Sequence, residues 1–277
     1  DRVDLAGAVV ANTDFTGSSM RKATVTGVDF TSATLTDADL EEVNLAGVDM
    51  SGLDLTGTGF AKANLTGSSF VGANLTNASM KEATVSDIDF SNASMTGIDL
   101  SLTELSGRNF TAVDLTGSKF YGSFLIDVNL SEANLSGADF SKADLSGADL
   151  SGANLSGADL SGALLTGATL AGADLTDANL TAVWGLDTDL SGARMDGTDF
   201  TDAILDSSDL TGQKFTNVTF SGASLRDADL ERAVIQGSDI DSVDLTGAQL
   251  TGASFPATPL VGVSALALSV AGADLSG

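Results

Sequence analysis

Ala143-Asp144-Leu145-Ser146-Gly147-Ala148-Asp149-Leu150-Ser151-Gly152 is one five-residue unit written twice. Stepping outward from Leu145 in fives, the register holds from Leu5 to Leu275 with no inserted residue. Every residue in that series is Leu, Ile, Val, Met or Phe, except Gly185 and Ala265. With this position denoted i, the residue at i−2 is small or aliphatic everywhere but Arg108 and Gln213. Asp or Asn is commonest at i−1 and Ser or Thr at i+1, and 29 of the 31 glycines stand at i+2.

A period of five suits neither a helix, at 3.6, nor a plain strand, at 2.0. It calls for a solenoid in which each unit makes one short side and one corner. The large residue at i and the small one at i−2 point inward. The polar residues at i−1 and i+1 flank i and point outward, as strand alternation requires. Gly at the corner tolerates backbone conformations that cost other residues free energy.

The pattern resembles the pentapeptide-repeat family, whose consensus is A(D/N)LXX, over the whole chain. The resemblance implies an all-β fold: a right-handed quadrilateral parallel β-helix with four units, or 20 residues, per coil. It predicts one domain over residues 1–277, about 14 coils, and a rod about 65 Å long at the strand spacing of a sheet. Two features of the sequence fit a 20-residue coil. Of the large apolar residues at i−1 (Val9, Phe124, Leu164, Trp184, Ile204, Val234), four lie at multiples of 20 from one another. No Phe at i falls on the side that begins with Leu5. Successive coils would stack Phe30, Met50, Phe70, Phe90 and Phe110 inside. Gly185 would leave a hole in the wall that Trp184 or Leu186 turns inward to fill.

Composition excludes several chemistries. There is no Cys and no His, so disulfides, zinc–thiolate sites, cysteine nucleophiles and imidazole bases are ruled out. The formal net charge of −26 disfavours direct contact with nucleic acid and favours basic protein partners. No apolar run reaches the length of a membrane span. The chain begins Asp1-Arg2-Val3, which reads as a mature or trimmed sequence. The compartment stays open, with the cytoplasm favoured. A loop-free solenoid offers no deep pocket, so acid pairs such as Glu41-Glu42 are not read as catalytic, and no enzyme activity, cofactor or metal is expected. Seven calcium ligands would have to come from one flat face. The column Thr16, Thr36, Thr56, Thr76, Thr96, Thr116 and the Asn-Leu-Thr sequons are the consensus repeating itself. Arg108 is expected to reach a corner and bond backbone carbonyls, and Gln213 to satisfy a backbone group.

Three surfaces stand out. Phe124, Leu164, Trp184 and Ile204, flanked by Ile126 and Leu186 and near Tyr121, replace the consensus polar residues on one face, interrupted by Asp144. They form a candidate contact patch. On the next face, Asp29, Asp49, Asp89, Asp149, Asp189, Asp209 and Asp229 share a column. Charge along the rod is about one per 2.5 Å, against roughly one per 1.7 Å for duplex DNA. The family resemblance implies a DNA-mimic role, since some members bind DNA gyrase or topoisomerase IV and confer fluoroquinolone resistance. Those members are shorter, and several carry protruding loops that this chain lacks. The alternative is a structural or surface rod whose aspartates only keep it soluble. Finally, residues 256–277 depart from the consensus at Pro259, Val261, Leu266 and Leu268, as a cap or a homodimer contact.

Overall fold

The computed structural model describes residues 2–256, 258, 261–265 and 269–274. It divides into two compact units: Asp1–Leu105 with Asp114–Phe124, and Ser106–Val113 with Leu125–Gly277. Both are built the same way. Residue i−1 of one coil pairs in parallel with the residue 20 positions on, as in Asp4↔Thr24 and Asn44↔Asn64 in the first unit and Asn134↔Asn154 and Asp159↔Asn179 in the second. A side is so short that most pairings are single bridges. Among the described residues only β1 (Lys214–Thr216) and β2 (Val234–Gln236) lengthen into a two-stranded parallel ladder, with Phe215 opposite Ile235.

The backbone donors explain the five-residue period. In the unit centred on Leu145, its N–H donates to Leu164 O in the next coil (2.8 Å) and Gly147 N–H to Thr166 O (2.9 Å). Ala148 N–H closes the turn onto Leu145 O (3.0 Å), and Asp149 N–H reaches back to Val128 O (2.9 Å). Four of five donors thus find carbonyls, two upward, one downward and one within the turn. The fifth, Ser146 N–H at i+1, faces the side chain two residues before it and donates to Asp144 Oδ1 at 3.1 Å. Buried or half-buried backbone groups need partners. The Asp or Asn at i−1 supplies the acceptor that the coil geometry does not.

The turn fixes the corner chemistry. Every residue with positive φ stands at i+2, the third position of a four-residue turn, where a type II turn requires it. Gly147 at φ 67° adopts this at no steric cost. Asn12, Asp127 and even Leu102 at φ 59° adopt it too, and a Leu there carries strain of roughly 1–2 kcal/mol.

Inside, the i residues are almost all fully buried, with Ala at i−2 beside them. In the first unit Phe70 and Phe90 approach at 6.0 Å with rings tilted by 32°, while Phe60 meets Phe70 edge-on at 5.7 Å. Phe110 belongs to the second unit. There the face-to-face pair is Phe200–Phe220, at 5.1 Å and 6°. Hydroxyls at i−2 serve as inward donors: Thr198 Oγ1 bonds Leu175 O at 2.8 Å and Ser208 Oγ bonds Gly185 O at 3.1 Å. Gln213 Nε2 does the same to Leu190 O at 2.5 Å, and Arg108 is half-buried in the second unit.

The space at Gly185 is filled from within, contrary to the expectation that Trp184 or Leu186 turns inward. A Cβ on Gly185 would lie 2.8 Å from Thr188 Oγ1 and 3.0 Å from Leu205 Cδ2. Thr188 and Leu205 therefore occupy the volume, and Thr188 Oγ1 is anchored to Leu165 O at 3.0 Å. Trp184 and Leu186 stay outside, 59% and 44% exposed. Strand alternation places i−1 and i+1 outward whatever residue sits there.

Candidate functional site: an aspartate array and an apolar ladder

The acidic column is a set of short local bonds. Asp29, Asp49 and Asp89 in the first unit accept from the backbone N–H of Thr31, Ser51 and Ser91, each at 2.9 Å. Asp149, Asp189, Asp209 and Asp229 in the second accept from Ser151, Ser191, Thr211 and Glu231 at 2.8–3.0 Å. This Asx arrangement fixes the carboxylate against its own backbone. Asp49 and Asp89 are both bridged to Ser69, and Asp189, Asp209 and Asp229 pair consecutively. The three carboxylates of the first unit and Asp209 are exposed; Asp149, Asp189 and Asp229 are half-buried. Asp49 and Asp89 are held below the usual carboxylate range by the Ser51 and Ser91 hydroxyls and then by the same residues' N–H groups; for Asp29 the Thr31 N–H leads.

Not every acid is unpaired. Along one corner of the first unit, Lys22 pairs with Glu42 at 3.1 Å, Lys62 with Glu82 at 3.8 Å, and Arg21 with Glu41. Sequence reading took Glu41-Glu42 as an acid pair without its partners. The signal was present in the 20-residue spacing from Arg21-Lys22, which puts opposite charges one above the other.

The candidate contact residues fall in both units. Tyr121 and Phe124 belong to the first, 39% and 52% exposed, with Phe124 bridged to Glu104. Leu102, missed from sequence, is exposed beside them: its N–H donates to Tyr121 O at 2.9 Å. The positive φ demanded of every i+2 residue could have singled it out. In the second unit Leu164 bridges Trp184 and Trp184 bridges Ile204, an unbroken apolar ladder, with Asp144 paired below Leu164. Leu164, Trp184, Leu186 and Ile126 are exposed, and Ile204 is half-buried.

At the C-terminus the pairing continues through Asp244↔Ser264, Gln249↔Ser269 and Ser254↔Asp274. Val261 is 59% exposed; Pro259, Leu266 and Leu268 lie outside the described residues. An open recess of about 370 Å³ lies between Arg194, Asp196, Gln213 and Lys214, and Arg194 is held by Asp174 at 2.9 Å. Among the described residues no group of three acids is placed to hold a metal ion, and no helix is long and apolar enough to cross a membrane.

These features define a repeat protein whose residues of note lie on outer faces. The chain belongs to the pentapeptide-repeat family. Family models for pentapeptide repeats match residues 1–37, 26–60, 109–147, 143–181, 187–222 and 214–252, and a pentapeptide repeat region covers 50–120. Its fold is the right-handed quadrilateral β-helix of that family. No curated protein matches it. Solved structures similar to it include HetL, a pentapeptide repeat protein involved in heterocyst differentiation regulation in Nostoc sp. strain PCC 7120. It is 24% identical, with 85% of this chain and 88% of that one covered and a TM-score of 0.37. QnrB1, a plasmid-mediated fluoroquinolone resistance protein, is similar in a trypsin-treated form at 19% identity, 62% and 85% coverage and a TM-score of 0.35. A pentapeptide repeat protein of the Arabidopsis thaliana thylakoid lumen matches at 26% identity, 53% and 68% coverage and a TM-score of 0.19.

Proposed function

We propose that this chain is a non-catalytic interaction protein whose aspartate array competes with DNA for a basic protein surface, that of a type II topoisomerase. The observation that carries this reading is the Asx bond at each of the seven aspartates. It holds each carboxylate against its own backbone, and Asp189, Asp209 and Asp229 follow one another in successive coils. A net charge of −26 over 277 residues is nearly two negative charges per 20-residue coil. At about 4.8 Å per coil that is about one per 2.5 Å, close to the charge density of a duplex. The family resemblance supplies gyrase and topoisomerase IV as the candidates, and QnrB1 is a fluoroquinolone resistance protein.

The test is a gyrase supercoiling assay with the purified chain titrated in, with and without a fluoroquinolone. Inhibition or protection at low micromolar concentration is expected. It should be lost in the variant Asp149→Asn, Asp189→Asn, Asp209→Asn. Asn keeps the side-chain oxygen that accepts the i+1 N–H, so this variant removes charge without removing the bond. No effect at any concentration would leave the second reading, a structural or surface module without such a partner. The Asx bond favours that reading too, because an Asp at i−1 serves as the acceptor for its own backbone whether or not anything binds.

A further inference from the structure

We propose that the ladder Leu164–Trp184–Ile204, with Leu186 beside it, is a docking site for a partner segment that presents apolar side chains together with lysine or arginine. This rests on the reading of the chain as an interaction protein but not on the aspartate array, which lies on a different column.

The ladder is not a repair of the core. The space at Gly185 is taken by Thr188 and Leu205, so Trp184 does not fill it. The three apolar residues also forfeit a bond. At i−1 the coil wants an oxygen to accept the i+1 N–H, as Asp144 does for Ser146. Leu and Ile have no such group and Trp is a donor only, so the N–H groups of Thr166, Leu186 and Asp206 lose their side-chain acceptor. Three consecutive coils carry this loss on one column.

The surroundings decide the occupant. Asp144 is paired below Leu164. Asp187 follows Leu186, and Asp202 stands two residues before Ile204, both exposed. Asp206 lies one coil beyond Leu186, its Oδ1 pinned by Ser224 Oγ at 2.5 Å and Arg226 N–H at 3.0 Å. The nearby cations are Lys142 and Arg226, and Arg226 lies 3.9 Å from Asp244. An apolar strip edged mainly by acids, Asp144 and Asp206 among them held by hydrogen bonds, complements a basic amphipathic segment. It repels a second copy, because a two-fold contact would set the acidic rim against itself.

Trp184 is the only tryptophan, so its emission reports on this surface alone. The probe is a synthetic amphipathic Lys/Leu peptide, compared with a Glu/Leu peptide and a Lys/Ser peptide. The Lys/Leu peptide is expected to shift Trp184 emission to the blue, saturably, and to bind about tenfold more weakly at high salt. The other two should not shift it. Leu164→Asp and Ile204→Asp should each weaken binding at least tenfold. Both variants restore the consensus acceptor, so they should fold with unfolding midpoints equal to or above that of the parent. Asp149→Asn and Asp209→Asn should bind the peptide as the parent does, which separates this site from the aspartate array. The proposal is overturned if the Lys/Ser peptide shifts the emission equally, or if Ile204→Asp binds like the parent. It is also overturned if Trp184 emission shifts with protein concentration alone as the mass doubles, which would mark a self-contact.

Discussion

Asp at i−1 is chosen by the backbone before it is available to any partner. The five-residue unit leaves one N–H without a carbonyl, and a carboxylate two residues back closes that gap. Asp54 shows the effect on titration. The Thr56 hydroxyl at 2.6 Å and then its N–H at 3.1 Å hold the carboxyl below the usual range. A folded pKa below the unfolded one means stability that is fully present above the unfolded value and is lost as pH falls through the folded value. Acid loss is therefore expected from about pH 4 downward. The check is the thermal midpoint followed from neutral pH to acid. Asp54→Asn, which keeps the oxygen but does not titrate, should show a shallower fall.

At the scale of one side and its corner, packing departs from consensus at Gly185. The repeat alone would suggest that restoring Leu there completes the wall and stabilises the coil. The structure gives the opposite sign, because Thr188 Oγ1 and Leu205 Cδ2 already sit where the new Cβ would go. Gly185→Leu is expected to destabilise by about 1–3 kcal/mol, the range for overpacking. Denaturant midpoints check this. The double variant with Thr188→Ala should recover part of the loss, since it vacates the space while sacrificing the bond to Leu165 O. A rise in midpoint for the single variant would mean that the hole expected from sequence is real.

For the molecule as a whole, the consequence to test is association. The proposed homodimer through the C-terminal coils has Val261 and Val270, 59% and 42% exposed, among its described apolar groups. Light scattering should give twice the chain mass, and Val261→Asp should reduce it to that of a single chain. An unchanged mass in the variant, or a monomeric parent, would remove the dimer. This outcome is independent of the Trp184 ladder, whose acidic rim disfavours self-contact.

The sequence by itself determined the repeat, the inward i and i−2 positions, the outward i−1 and i+1 positions and the family. A strict period of five over the whole chain has few geometric solutions, and burial of Leu, Phe and Ala selects among them. It also anticipated the adjacency of Asp189, Asp209 and Asp229 and of Leu164, Trp184 and Ile204, because a 20-residue coil turns spacing into adjacency. It did not give what the aspartates bond, since the missing N–H partner becomes visible only once every other donor has been traced to its carbonyl. Nor did it give the filling of Gly185 or the pairing of Glu42 with Lys22. Those depend on which side chain of a neighbouring coil reaches a given space first, and the tertiary structure settles that through side-chain conformation and contact distance rather than through residue type.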